Sequence, residues 1–124
     1  MSEQKQASPA PQAAAGGIPK AKKIWMDGKF VDWDDAKIHV LSHTMHYGSG
    51  VFEGIRFYKT DRGPAIFRLR EHIDRLFKSA RVFDMKIIPS REDIVEACIN
   101  LVRVNKLESG YIGRSCTSDT GCSG

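Results

Sequence analysis

The chain lacks the features that mark several large classes of protein. It has no apolar run near the roughly 20 residues that a bilayer-spanning helix needs, so we expect no membrane partner. Its net charge of +4 is dispersed without long blocks of lysine and arginine, so no nucleic-acid partner is expected. No basic segment followed by an apolar one marks a secretory signal. Three cysteines, an odd number, predict no disulfide framework and favour a cytoplasmic location.

Composition divides the 124 residues into three segments. Residues 1–22 hold almost no large apolar side chain and are predicted to be a disordered N-terminal extension. Residues 23–112 carry the apolar patterning of one small domain with a modest core. Residues 113–124, GRSCTSDTGCSG, are small and polar and form an anomalous tail. A one-base deletion in the coding sequence would explain that tail.

The first half of the domain is predicted to be a meander of antiparallel strands within residues 23–69. The dipeptide Asp27-Gly28 joins two apolar-rich arms and favours a two-residue hairpin turn, because glycine accepts positive φ. Residues 37–41, 51–58 and 65–69 supply the other predicted strands.

The second half predicts two helices followed by a new strand at Tyr111. The apolar stripe of the first helix comprises Ile73, Leu76, Phe77, Ala80 and Phe83. The stripe of the second comprises Ile94, Ala97, Leu101 and Val102. Ser90 and Asp93 have the spacing of a capping box at the start of the second helix. The fold class is therefore α+β, an antiparallel sheet with two helices on one face.

Residues 41–58, LSHTMHYGSGVFEGIRFY, carry the most specific motif. They resemble the segment H-Y-G-x-x-V-F-E-G-I-R of the class IV (fold-type IV) pyridoxal-phosphate aminotransferases, in their branched-chain amino acid branch. The resemblance runs from about residue 23 to residue 112 and implies the small N-terminal domain of that fold. It also implies pyridoxal 5′-phosphate as cofactor and transfer of the amino group of valine, leucine or isoleucine to 2-oxoglutarate. The implied partners are these amino acids, glutamate and 2-oxo acids, with a homo-oligomer in the full-length form.

The resemblance assigns roles to five residues. Arg75 follows the family's R-x-R-E-H pattern and corresponds to the cofactor's phosphate anchor, a task that suits a permanently charged, planar guanidinium. Phe52 and Tyr111 correspond to substrate-pocket residues, and Tyr47 to a tyrosine contributed across the dimer interface. Arg56 corresponds to a position near the active site. The lysine that holds the cofactor covalently lies in a part of the family that this chain lacks, so we assign no catalytic residue and expect the chain alone to be inactive.

One position departs from the family pattern. The family's Y-I-R places an arginine two residues after the tyrosine, whereas Tyr111-Ile112 is followed here by Gly113. Arg114 is displaced by one residue, which on a strand directs its side chain to the opposite face. The substrate-carboxylate arginine of the family is therefore absent from its expected position.

Other interpretations of single residues are weaker. His39, His43 and His46 have helical spacing, yet His39 is predicted to lie on a strand and no further ligands complete a set, so no metal is expected. Glu53 and Arg56 are three apart on a strand and should point to opposite faces, which makes a structural hydrogen-bonding role for Glu53 the better interpretation.

Two functional alternatives remain. The D-amino acid transaminases and aminodeoxychorismate lyases share the same small domain within the class IV family. A chain of this length would also suit a non-catalytic remnant that acts only in self-association or in binding another subunit.

Overall fold

The computed structural model describes residues 20–117 and 121–123, and for the last three residues the backbone alone. Residues 1–19 of the predicted disordered extension, which runs to residue 22, lie outside the described residues. The strands are β1 (Lys23–Met26), β2 (Lys29–Asp32), β3 (Gly50–Thr60), β4 (Gly63–Ile66), β5 (Gly110–Thr117) and β6 (Gly121–Ser123). The helices are α1 (His43–Tyr47), α2 (Leu69–Val82) and α3 (Arg91–Asn105). The strands form one antiparallel sheet in the order β2-β1-β6-β5-β3-β4.

The elements fixed by local sequence signals are confirmed. Asp27 and Gly28 take positive φ angles of 50° and 86° and connect β1 to β2 in the predicted hairpin. At the start of α3, the Ser90 hydroxyl accepts a hydrogen bond from the Asp93 backbone N–H, and the Asp93 carboxylate accepts one from the Ser90 N–H, each at 3.1 Å. This reciprocal capping box satisfies two of the donors that the first turn of a helix leaves free.

The predicted strand meander is wrong in two respects. Residues 37–41 form no strand, and Ile38, Val40 and Leu41 stay exposed, because no neighbouring strand pairs with this segment in the described structure. In addition, β5 and β6 lie between β1 and β3, so the first hairpin and β3 are not neighbours. The pairing that decides this order joins residues more than 50 positions apart, and local pattern carries no information about it.

Both helices cover one face of the sheet and close the core, as predicted. The stripe residues Ile73, Leu76 and Ala80 of α2 are buried. In α3 the burial of Ile94, Ala97 and Val102 confirms the second stripe. The sheet contributes chiefly Val51, Ile55, Phe57 and Ile112.

One member of the first stripe was placed wrongly. Phe83 is 58% exposed, because α2 ends at Val82 and the chain turns away through Asp84, whose φ is 53°. The helix therefore stops one residue before its apolar period would have brought Phe83 onto the core.

The prediction for the cysteines needs a correction as well. Cys98 is a free, buried thiol, but Cys116 is disulfide-bonded. The antiparallel ladder between β5 and β6 pairs the Cα of Cys116 with that of Cys122, an arrangement that a count of cysteines could not foresee. Within the described residues, no helix has the length and apolar character needed to cross a membrane.

Candidate functional site

The adjacent strands β3 and β5 present two different faces. On the covered face, which packs under the helices, lie Val51, Glu53, Ile55 and Phe57 from β3 and Ile112, Arg114 and Cys116 from β5. On the open face lie Phe52, Gly54, Arg56 and Tyr58 from β3 and Tyr111, Gly113 and Ser115 from β5. Because side chains alternate along a strand, this division follows directly from the register.

Three of the predicted site residues come together on the open face. The Cα of Arg56 is paired directly with that of Tyr111 across the β3–β5 ladder. Phe52 is 78% exposed and Tyr111 62% exposed, so both rings are presented to solvent. Residues opposite each other in an antiparallel pair lie within side-chain contact range. The open face thus carries aromatic surface beside a cation.

Tyr47 lies on a different element, just before the start of β3. It is the last residue of the short helix α1, which Gly48 ends in the left-handed conformation at φ 66°. Its ring is 77% exposed and meets the His43 ring edge-on at a centroid distance of 5.5 Å. The chain then enters β3 at Gly50, so Tyr47 precedes Phe52 by one tight turn.

Arg75 is held in place by a buried carboxylate. Its Nε donates to Glu53 Oε1 at 2.6 Å and its Nη2 donates to Glu53 Oε2 at 2.7 Å, a bidentate pair. His72, one turn earlier on α2, places its Nδ1 2.8 Å from the same Oε2. Glu53 is nearly fully buried, whereas the Arg75 side chain is 65% exposed. The carboxylate is therefore a fixed support for a guanidinium that faces outward.

The interactions in this cluster favour the ionised forms of both Glu53 and Arg75. The Arg75 hydrogen bonds outweigh the opposing effect of burial and, with His72, hold the pKa of the Glu53 carboxyl below its ordinary value. Glu53 in turn raises the pKa of Arg75. The Arg75 Nη1 makes no hydrogen bond to any described residue and remains available as a donor. A bidentate support with a free outer donor suits recognition of a phosphate oxygen.

The sequence pattern predicted only part of this cluster. It placed Glu53 and Arg56 on opposite faces of the strand, which is confirmed, and gave Glu53 a hydrogen-bonding role. It did not identify Arg75 and His72 as the partners of Glu53. The sequence did contain a signal for these partners. A lone carboxylate on the covered face of β3 needs a polar or charged partner from the helix packed above it. His72 and Arg75 are three residues apart on α2 and therefore lie on the same face of that helix.

Arg114 lies on the covered face of the sheet, whereas Tyr111 lies on the open face. The displacement of the arginine by one residue predicts this difference. Arg114 is 1% exposed, and none of its three guanidinium nitrogens has a hydrogen-bond partner in the described structure. Its guanidinium carbon stands 4.3 Å above the centre of the Trp25 ring. Burial lowers the pKa of Arg114 accordingly. The open-face position that the family gives to an arginine is occupied by Gly113.

Three further observations concern the histidines and a cleft outside the predicted site. No group of three histidine, cysteine or carboxylate side chains is placed to hold a metal ion in the part of the chain that the structure describes. His39, predicted to lie on a strand, instead accepts a hydrogen bond from the Leu41 N–H at its Nδ1, at 3.0 Å. A cleft of about 650 Å³ lies between β4 and the end of α3, and none of the five predicted site residues lines it.

Comparison with known families shows what this chain is similar to. The family described as amino-transferase class IV matches residues 50–120, which is more than half of the chain. The branched-chain-amino-acid aminotransferase of Pseudomonas aeruginosa is 58% identical over 89 residues, which cover 72% of this chain and 29% of that protein. The enzyme of the same name from Escherichia coli K12 is 48% identical over 93 residues, 75% of this chain and 30% of that protein. The chain thus spans less than a third of these curated relatives.

Solved structures give the same picture. A branched-chain amino acid aminotransferase from T.th., complexed with N-(5′-phosphopyridoxyl)-L-glutamate, superposes with a TM-score of 0.80 at 42% identity, covering 84% of this chain and 39% of that one. The Escherichia coli enzyme superposes with a TM-score of 0.78 at 46% identity, covering 82% and 35%. The sheet and helices described above correspond to the N-terminal domain of these proteins.

Proposed function

Because the chain belongs to the class IV aminotransferase family, we propose that residues 23–112 supply half of a branched-chain amino acid aminotransferase site. This half-site consists of Arg75, which would hold the cofactor phosphate, and the open-face residues Phe52, Arg56 and Tyr111, with Tyr47 beside them. The observation that carries the proposal is the Glu53–Arg75 pair, in which a buried carboxylate orients an exposed guanidinium outward.

The cofactor we propose is pyridoxal 5′-phosphate. When bound, it supplies the electron sink with which an amino group is moved between an amino acid and a 2-oxo acid. The chain's own contribution at this point is electrostatic. Arg75 is paired through Nε and Nη2, so its Nη1 is the donor left for a phosphate oxygen. The buried Glu53 already restricts the side-chain rotamers of Arg75. Binding of the phosphate therefore costs less conformational entropy than it would with an unrestrained arginine.

Substrate selection is assigned to the open face. The exposed rings of Phe52 and Tyr111 offer apolar surface against which a valine, leucine or isoleucine side chain can pack. The Tyr111 hydroxyl and Arg56 add polar groups that a glutamate carboxylate can use, since the same site must accept the amino donor. We further propose a homo-oligomer acting in the cytoplasm, with Tyr47 completing a neighbouring subunit's site.

The function is tested by joining residues 23–112 to the C-terminal remainder of the Pseudomonas aeruginosa relative. We expect the chimera to form glutamate from leucine and 2-oxoglutarate, as the intact relative does in a parallel assay. The 124-residue chain by itself serves as the negative control, because its described lysines are exposed or, for Lys23, half-buried and paired with Asp32. An activated amine needs a desolvated or cation-flanked setting. A folded chimera that turns over D-alanine or aminodeoxychorismate but no branched-chain amino acid would contradict the proposal.

A second candidate function is association without catalysis. It is favoured by the exposure of Tyr47, Phe52, Tyr58 and Tyr111, which are 77%, 78%, 50% and 62% exposed. Large exposed apolar patches typically mark an interface. Sedimentation velocity over a range of concentrations tests it, and a strict monomer at all concentrations would contradict it.

A further inference from the structure

The space above the Gly54 backbone is occupied by the side chain of Tyr111. A Cβ built on Gly54 would overlap the Tyr111 hydroxyl and would come within 2.7 Å of Tyr111 Cζ and 2.8 Å of Cε2. Non-bonded carbon atoms sit about 3.5–4.0 Å apart at their optimum, so these separations leave no room for a methyl group. The Tyr111 ring therefore lies directly over the Gly54 backbone.

The strand register explains how the ring arrives there. Tyr111 pairs with Arg56 across the ladder, and Gly54 is the next open-face residue along β3, so the ring leans diagonally across the strand. Gly113, which pairs with Gly54, lies at the edge of the ring, where an added Cβ would stand 3.7 Å from Tyr111 Cε1. That distance is ordinary van der Waals contact. Both glycines thus lie beneath the Tyr111 ring, but only at Gly54 would an added Cβ displace the ring.

We propose that Gly54 is a positioning residue that seats Tyr111 on the open face and so sets where its hydroxyl and ring surface meet a substrate side chain. Without this seat the ring would stand away from the sheet, as an unobstructed aromatic side chain on a strand does. The seated ring instead lies beside the position of Phe52, two residues before Gly54 on the same face. The consequence for substrate selection rests on the proposed function, whereas the seat itself does not.

The seat is tested in the 124-residue chain by nuclear Overhauser effects between the Gly54 Hα protons and the Tyr111 ring. We expect them in the parent chain and in Gly113→Ala, and we expect their loss, with a shift of the Tyr111 ring resonances, in Gly54→Ala. If Gly54→Ala alone fails to fold, the double variant Gly54→Ala/Tyr111→Ala should fold as well as Tyr111→Ala, because the obstructing ring is gone. Absence of these effects in the parent chain, or their loss in both glycine variants, would overturn the proposal.

The consequence for substrate is tested in the chimera by a double-mutant cycle. Gly54→Ala should raise KM for leucine about 10-fold at saturating cofactor, with cofactor affinity unchanged. In a Tyr111→Ala background the same change should have no further effect on KM. Additive effects would show that Gly54 acts other than through Tyr111 and would overturn this part of the proposal. An inactive chimera would count against the proposed function, and the resonance experiment would still decide the seat.

Discussion

The two faces of the β3–β5 pair are built from the same two strands and serve different purposes. On the covered face, Ile55 and Phe57 are at most 2% exposed and pack under the helices. On the open face of the same strand, Phe52 is 78% exposed. The alternation of side chains separates residues that hold the fold from residues that are free to meet a ligand or another chain. A substitution should therefore affect stability on one face and binding on the other.

The covered face also holds two charged side chains that contrast with each other. Glu53 and Arg114 are directly paired by register, yet the Glu53 carboxylate is bound by Arg75 and His72 from α2. Arg114 is left without a hydrogen-bond partner among the described residues. A buried charge that is paired supports its neighbourhood, while a buried charge without a hydrogen-bond partner opposes folding. The difference lies in whether an element packed above supplies the partner.

The largest effect on stability is expected from Phe57 on β3, and Phe52 on the same strand is its comparison. Phe57→Ala removes a fully buried ring and should lower the free energy of unfolding by about 3–5 kcal/mol, which is enough to unfold a domain of this size. Phe52→Ala removes an exposed ring and should change stability by less than about 0.5 kcal/mol. Chemical denaturation followed by circular dichroism measures both. Similar losses in the two variants would show that the open face is covered in solution.

Glu53→Gln should lower stability at neutral pH by about 1–3 kcal/mol, because an amide nitrogen would face the donors of Arg75. The pKa of Glu53 is lower in the folded chain than its value of 4.5 in an unfolded one, so the unfolded state binds more protons as the pH falls. The stabilisation is thus complete above pH 4.5 and is lost as the pH falls through the folded-state pKa.

Melting temperatures measured between pH 7 and pH 3 test this linkage. The parent chain should lose stability in the acid range, and Glu53→Gln should lose less there. Glu108→Gln, which breaks an exposed pair with Lys59, is the matched control and should keep the parent profile. Parallel acid profiles for the parent chain and Glu53→Gln would contradict the assignment.

Arg114→Met should raise the free energy of unfolding by about 1–3 kcal/mol. Burial of an arginine costs several kcal/mol, and its stacking on Trp25 returns only about 2 kcal/mol. Methionine fills similar volume without charge. Arg56→Met on the open face is the control and should change stability by less than about 0.5 kcal/mol. A destabilised Arg114→Met would mean that the guanidinium has a partner that supports it.

The sequence was informative wherever a short segment decides its own structure. The Asp27-Gly28 hairpin, the Ser90 capping box and the opposite faces of Glu53 and Arg56 follow from turn chemistry and from the period of a strand. The strand order does not, because β5 returns from beyond α3 to pair with β3. The partners of Glu53 were missed for the same reason. They come from α2, and no local pattern states how a helix is set over a strand.

The roles of the site residues depend most directly on one arginine. In the chimera, Arg75→Ala should raise the dissociation constant for pyridoxal phosphate about 10- to 100-fold, with little change in kcat at saturating cofactor. Arg70→Ala is the matched control, since Arg70 lies on the same helix and pairs at 2.7 Å with the exposed Glu92. Its cofactor affinity should equal that of the parent chimera. An unaltered affinity in Arg75→Ala would contradict the account, because the guanidinium that Glu53 holds outward would then not be the phosphate anchor.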